Sequence, residues 1–69
     1  MKISVNGKEK KIKLENEKAL LSSILELLGY KQNTIVVEVN DLIINSKKWD
    51  YEILKEGDKL EIVSIVGGG

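Results

Sequence analysis

Cysteine, histidine and proline are all missing from this 69-residue chain. Without cysteine there can be no disulfide, no thiol nucleophile and no thiolate metal site. Without histidine the commonest general base is missing as well. Charge of one sign is not in excess: eleven Lys+Arg balance eleven Asp+Glu, a formal net charge of zero. Such a balance gives no general attraction to phosphate backbones or anionic membranes, so neither nucleic acid nor membrane is expected as a partner. No apolar run approaches the roughly 20 residues of a membrane span, and Met1 to Lys8 lacks the continuous apolar stretch of a signal peptide. A cytoplasmic protein is expected.

What the chain does contain is enough for one small domain. It is 42% hydrophobic and 32% charged, which provides a core and a wet surface and argues against disorder. At this length folding hides only about 60% of the surface the unfolded chain exposes, so a deep enclosed active site is not expected.

Ile3 and Val5 alternate with polar neighbours, Asn6-Gly7 is the dipeptide favoured in two-residue hairpin turns, and Ile12 and Leu14 resume the alternation. Residues 1–14 therefore read as a β-hairpin. From Ala19 the period changes: Leu20, Leu21, Ile24, Leu25, Leu27 and Leu28 form a helical stripe over 19–28, and Gly29 stands where a helix commonly ends. Ile35, Val37 and Val39 alternate again, Asn40-Asp41 can turn the chain, and Leu42-Ile43-Ile44 reads as a further strand. Ser46 to Leu54 reads as a short helical turn or irregular connection packed by Trp49 and Tyr51, with Trp49 as a structural anchor. Glu56-Gly57-Asp58 signals a tight turn before a last strand that begins at Leu60 and Ile62.

The order β, β, α, β, β, short turn, β predicts an α+β protein in which one helix covers one face of a mixed sheet of about five strands. The last strand is expected to return beside the first, burying both, and to leave the tail projecting from one edge. This is a β-grasp architecture, with residues 1–66 as the domain and 67–69 as a flexible glycine tail.

Few side chains are candidates for chemistry. Ser22 and Ser23 lie in the helix with no histidine to activate them, and read as ordinary helix serines. The acidic residues are scattered singly, as solvated surface charges would be. Lys8, Lys10, Lys11 and Lys13 form a run broken by Glu9, which on a hairpin strand reads as a guard against edge-to-edge pairing, with a partner-docking patch as the alternative. An active site complete within this chain is not expected.

The closing Val66-Gly67-Gly68-Gly69 is different in kind. Taken as the end of the gene product, it puts the free α-carboxylate of Gly69 on a thin arm, because glycine lets another protein's walls come close to the main chain. Gly67 and Gly68 would present that carboxylate inside a partner's active site. No glycine-lysine-serine/threonine sequence accompanies the glycines, so they are no phosphate cradle, and any ATP must be held by another protein. Just before the tail, Leu60 and Ile62 have the parity of core positions. Val63 and Ile65 then point outward as an apolar docking surface that includes Val66, unless the 46–54 segment covers them.

The residues resemble those of the ThiS family, ubiquitin-like β-grasp sulfur carriers of thiamine biosynthesis. The similarity rests on Val37-Glu38-Val39-Asn40, on Trp49, on Leu54-Lys55-Glu56-Gly57-Asp58-Lys59-Leu60-Glu61-Ile62-Val63 and on Val66-Gly67-Gly68-Gly69, in that order and spacing, with Ile3-x-Val5-Asn6-Gly7 in support. In one place the chain departs from the pattern: Asn45-Ser46 stands where the family usually has proline then arginine. The resemblance implies that a ThiF-type adenylyltransferase uses ATP to convert the Gly69 carboxylate to an acyl-adenylate. Sulfur from a donor such as a cysteine desulfurase then displaces AMP, and the resulting thiocarboxylate serves thiazole synthase. On this reading the chain is a protein co-substrate with no bound cofactor, monomeric when free, and not an enzyme. Two alternatives stand beside it. One is a carrier of the molybdopterin synthase small-subunit type; the other is a non-covalent β-grasp interaction module.

Overall fold

Two tight turns set the frame of the sheet. Asn6 and Gly7 both take positive φ, 51° and 82°, and so do Asn40 and Asp41, at 50° and 71°. Left-handed pairs of this kind match the twist of the strands they join, which is why each dipeptide closes an antiparallel hairpin. The first hairpin joins β1 (Lys2–Val5) to β2 (Lys8–Lys11), and the second joins β3 (Ile35–Val39) to β4 (Leu42–Ile44). The computed structural model describes residues 1–14 and 18–65.

Between the hairpins runs α1 (Leu21–Leu27). It ends as expected at Gly29, whose φ of 90° allows the chain to reverse. Gly29 N–H donates to the Glu26 carbonyl and Tyr30 N–H to the Leu25 carbonyl, each at 3.0 Å, the paired bonds of a Schellman cap. The helix is shorter than the 19–28 read from periodicity, because Ala19 and Leu20 serve another element. The Ala19 carbonyl accepts from Leu54 N–H and Leu21 N–H donates to the Glu52 carbonyl, both at 2.8 Å, so Leu20 and Ile53 form an isolated antiparallel bridge. Leu21, Ile24 and Leu25 are buried, whereas Leu27, counted in the stripe, is exposed at the helix flank.

The last strand, β5 (Lys59–Ser64), lies in the middle of the five-stranded order β2-β1-β5-β3-β4, parallel to β1 and antiparallel to β3. The expectation that the last strand returns beside the first is met. With β5 central, the strand is buried as expected and Ile65 lies at the end of the sheet beside the start of β3; the expected projection of the glycine tail falls outside the described residues. The core is one layer of side chains between the sheet and α1, formed by Ile3, Val5, Leu21, Ile24, Val37, Leu60 and Ile62 with their neighbours. Burying residues of this size contributes about 1.5–3 kcal/mol each.

The 46–54 connection holds a 3-10 turn at Ser46–Lys48, and its aromatics split. Trp49 is buried, with Nε1–H donating to the Ile44 carbonyl at 2.9 Å, as an anchor should. Tyr51, expected to help pack the segment, is instead 81% exposed. Asn45 has φ −60°, an angle proline would impose, and its Oδ1 accepts from Lys47 N–H at 2.9 Å. Asn45 thus begins this turn itself, with its side chain as the cap.

Candidate functional site

Gly67, Gly68, Gly69 and Val66 lie outside the described residues, so the site is built from the strand that leads to them. β5 is held on both sides for most of its length. Toward β3, the ladder runs from Val39↔Leu60 to Ile35↔Ser64, and Ile65 N–H adds a bond to the Thr34 carbonyl at 2.8 Å. Toward β1 there are only two paired positions, Ser4↔Lys59 and Val5↔Leu60, because β1 turns away at Asn6.

Asn6 carries the pairing one step further with its side chain. Its main-chain N–H donates to the Leu60 carbonyl at 2.9 Å. Its carboxamide then accepts from Ile62 N–H at 2.7 Å and donates to the Ile62 carbonyl at 3.2 Å. One amide side chain thus reproduces both bonds of a missing strand residue. Sequence reasoning accounted for Asn6 as a turn residue, and that sufficient explanation hid this second role.

The start of β5 is fixed by the turn that precedes it. Asp58 accepts from Lys55 N–H at 2.8 Å through Oδ2 and from the Asn40 side chain at 3.0 Å through Oδ1. Asn40 Oδ1 in turn accepts from Lys59 N–H at 3.0 Å. Gly57 N–H reaches the Lys2 carbonyl at 2.8 Å, and Ser4 N–H the Asp58 carbonyl at 2.9 Å. The Lys55-Glu56-Gly57-Asp58 segment therefore sets the register of the central strand against β1 and the second hairpin. It is a structural motif, placed at the far end of β5 from the tail.

Alternation along β5 separates two faces. Leu60 and Ile62 enter the core, while Glu61, Val63 and Ile65 point away from the helix. Val63 is 59% exposed and Ile65 50% exposed. The 46–54 segment does not cover them, although Ser46 and Trp49 share with Ile65 an open groove of about 290 Å³ lined also by Val36 and Ile43. Val36 is the direct cross-strand partner of Val63, and Ile43 lies across β3 from them, itself 69% exposed. The result is an uncovered apolar patch on the outer face of the sheet, ending where the chain leaves for Val66. Sequence parity found Val63 and Ile65; it did not find Val36 and Ile43, which join them only through the strand register.

A second, larger open groove of about 560 Å³ lies beside α1 and is lined by Ser22, Ser23, Glu26, Tyr30, Trp49 and Asp50 among others. No side chain there pairs with either serine to activate it. Among the described residues no group of three or more metal-ligating side chains is clustered, and no helix is long and apolar enough to cross a membrane.

A five-stranded mixed sheet grasping one helix, with its central last strand running toward a glycine end, defines a ubiquitin-like β-grasp protein. The profile of the ThiS family matches residues 3–69. The crystal structure of a thiamine biosynthesis protein (ThiS) from Geobacter metallireducens superposes with a TM-score of 0.82 at 27% identity over 100% of both chains. A thiazole synthase of Paramagnetospirillum magneticum is 32% identical over all 69 residues, which span 20% of that protein. The uncharacterized protein ycf40 of Trieres chinensis is 39% identical over 49 residues, 71% of this chain and 67% of that protein. The chain belongs to the ThiS family.

Proposed function

We propose that this protein is a sulfur carrier of thiamine biosynthesis, acting through the α-carboxylate of Gly69. The observation that carries this reading is the family match running from residue 3 through the terminal glycines to residue 69. The relative that is a thiazole synthase, similar over the whole length of this chain, supports thiazole synthase as the acceptor.

A carboxylate is a poor electrophile, so the chemistry begins by giving it a leaving group. In a ThiF-type adenylyltransferase the Gly69 carboxylate attacks the α-phosphorus of ATP and displaces pyrophosphate. The terminal sulfur of a persulfide on a donor such as a cysteine desulfurase then attacks the acyl carbon and AMP departs, giving an acyl disulfide; a reducing thiol attacks the donor cysteine's sulfur, forms a disulfide with it and releases the thiocarboxylate. Thiazole synthase receives that sulfur. The chain itself supplies no acid or base to these steps. It contributes a carboxylate, two glycines that let the partner's walls close around the main chain, and Val63, Ile65 and Val66 as the docking surface behind them.

Intact-mass measurement tests the reading. Incubated with ATP, an active ThiF-type adenylyltransferase and a sulfur source, the chain should gain the mass difference between one sulfur and one oxygen, and the chain lacking Gly69 should not. An unchanged mass for the full chain beside a demonstrably active enzyme would overturn it.

A further inference from the structure

The outer face of the sheet holds, besides its apolar patch, a pairing that works against the fold. Glu38 of β3 and Glu61 of β5 are direct cross-strand partners. Like charges in that relation destabilise a sheet, because their Cβ atoms stand only about 5 Å apart. Both residues are half-buried, the Glu61 side chain being 37% exposed, so solvent screens them incompletely. Compensation from within the chain is slight. Lys59 lies 3.8 Å from Glu61 and 3.5 Å from Asp41, dividing one positive charge between two carboxylates. Among the described residues Glu38 has no ion pair, so this row carries three carboxylates against one ammonium.

The surroundings of the pair narrow what could relieve it. On the side toward the tail sit Val36 and Val63, two register positions along and on the same face, and across β3 from Glu61 sits Ile43 opposite Glu38. A cation arriving here is flanked by carboxylates on one side and exposed apolar side chains on the other. Arginine meets both requirements. Its guanidinium bonds carboxylates through a planar fork and is weakly enough hydrated to lie against apolar groups.

We propose that Glu38 and Glu61 form a receptor for a cationic side chain, best an arginine, projecting from an apolar surface of the activating enzyme. This rests on the carrier reading above and deepens it, since it states the chemistry the enzyme must present. The folded chain carries the cost of the paired carboxylates, and docking removes it. The pair lies on the same face as Val63 and Ile65, so the cation would fix how β5 is oriented as its end enters the partner.

The test is direct binding of the whole protein to a ThiF-type adenylyltransferase without ATP, at several salt concentrations. Glu38→Gln/Glu61→Gln should melt no lower than the parent, because the repulsion is gone, yet bind ~10-fold more weakly and with a flatter salt dependence. Glu26→Gln/Glu52→Gln removes the same two charges on the helix side of the sheet and should leave affinity within about twofold. Equal affinity for the parent and the Glu38/Glu61 variant, equal loss in both double variants, or no binding by the parent would each overturn the proposal. If the parent binds but Gly69 is never converted, the carrier reading fails while the receptor is still judged by the difference between the variants.

Discussion

The same strands, β3 and β5, face in two directions with nearly the same kind of side chain and opposite consequences. On the helix side Ile35, Val37, Val39, Leu60 and Ile62 are buried. On the outer side Val36, Val63, Ile65 and, from β4, Ile43 remain open to solvent, with a carboxylate pair among them. Apolar character on the first face is used up in making the domain. On the second it exceeds what folding needs, and the docking role proposed above for Val63 and Ile65 rests on that excess.

The difference can be broken from either side. Leu60→Ala, which opens a cavity under the central strand, should lower stability by about 2–5 kcal/mol in denaturant unfolding. A loss under ~1 kcal/mol there would mean that the inner face is not the energetic core. Next in size is Asn6→Ala, which leaves the Ile62 N–H and carbonyl without their side-chain partner and should cost about 1–3 kcal/mol. Hydrogen exchange at Ile62 should quicken in that variant beyond what the global loss explains; unchanged protection at Ile62 would deny Asn6 its place in the ladder. Smallest for the fold is Val63→Thr, which keeps the β-branched shape and should shift stability by no more than ~0.5 kcal/mol. Its effect should appear instead as a higher KM with the adenylyltransferase, and an unaltered KM would remove Val63 from the docking surface.

Much of the fold could be read from local pattern, because its determinants are themselves local. Asn6-Gly7 and Asn40-Asp41 each encode a hairpin through positive φ, Gly29 ends the helix by the same means, and period-two alternation picked the buried side of β5. The unread features come from contacts between residues distant in the chain. No local signal places β5 at the centre of the sheet, since that depends on long-range pairing with both β1 and β3. Ala19 and Leu20 continue the helical period but are drawn out of it by the backbone of Glu52 and Leu54. Tyr51 sits in a segment already packed by Trp49 and Leu54. Glu38 and Glu61 are 23 residues apart and look like isolated charges until the register sets them side by side.

The central position of β5 also has a mechanical meaning. On the proposed reading, a partner that binds the chain's end would load this strand from its C-terminal side. The ladder to β3, the short parallel pairing with β1 and the Asn6 amide then take the load together, in shear, where an edge strand could be peeled away one bond at a time. If the proposed carrier cycle holds, the chain is thereby rooted where traction on its end is least able to unzip it.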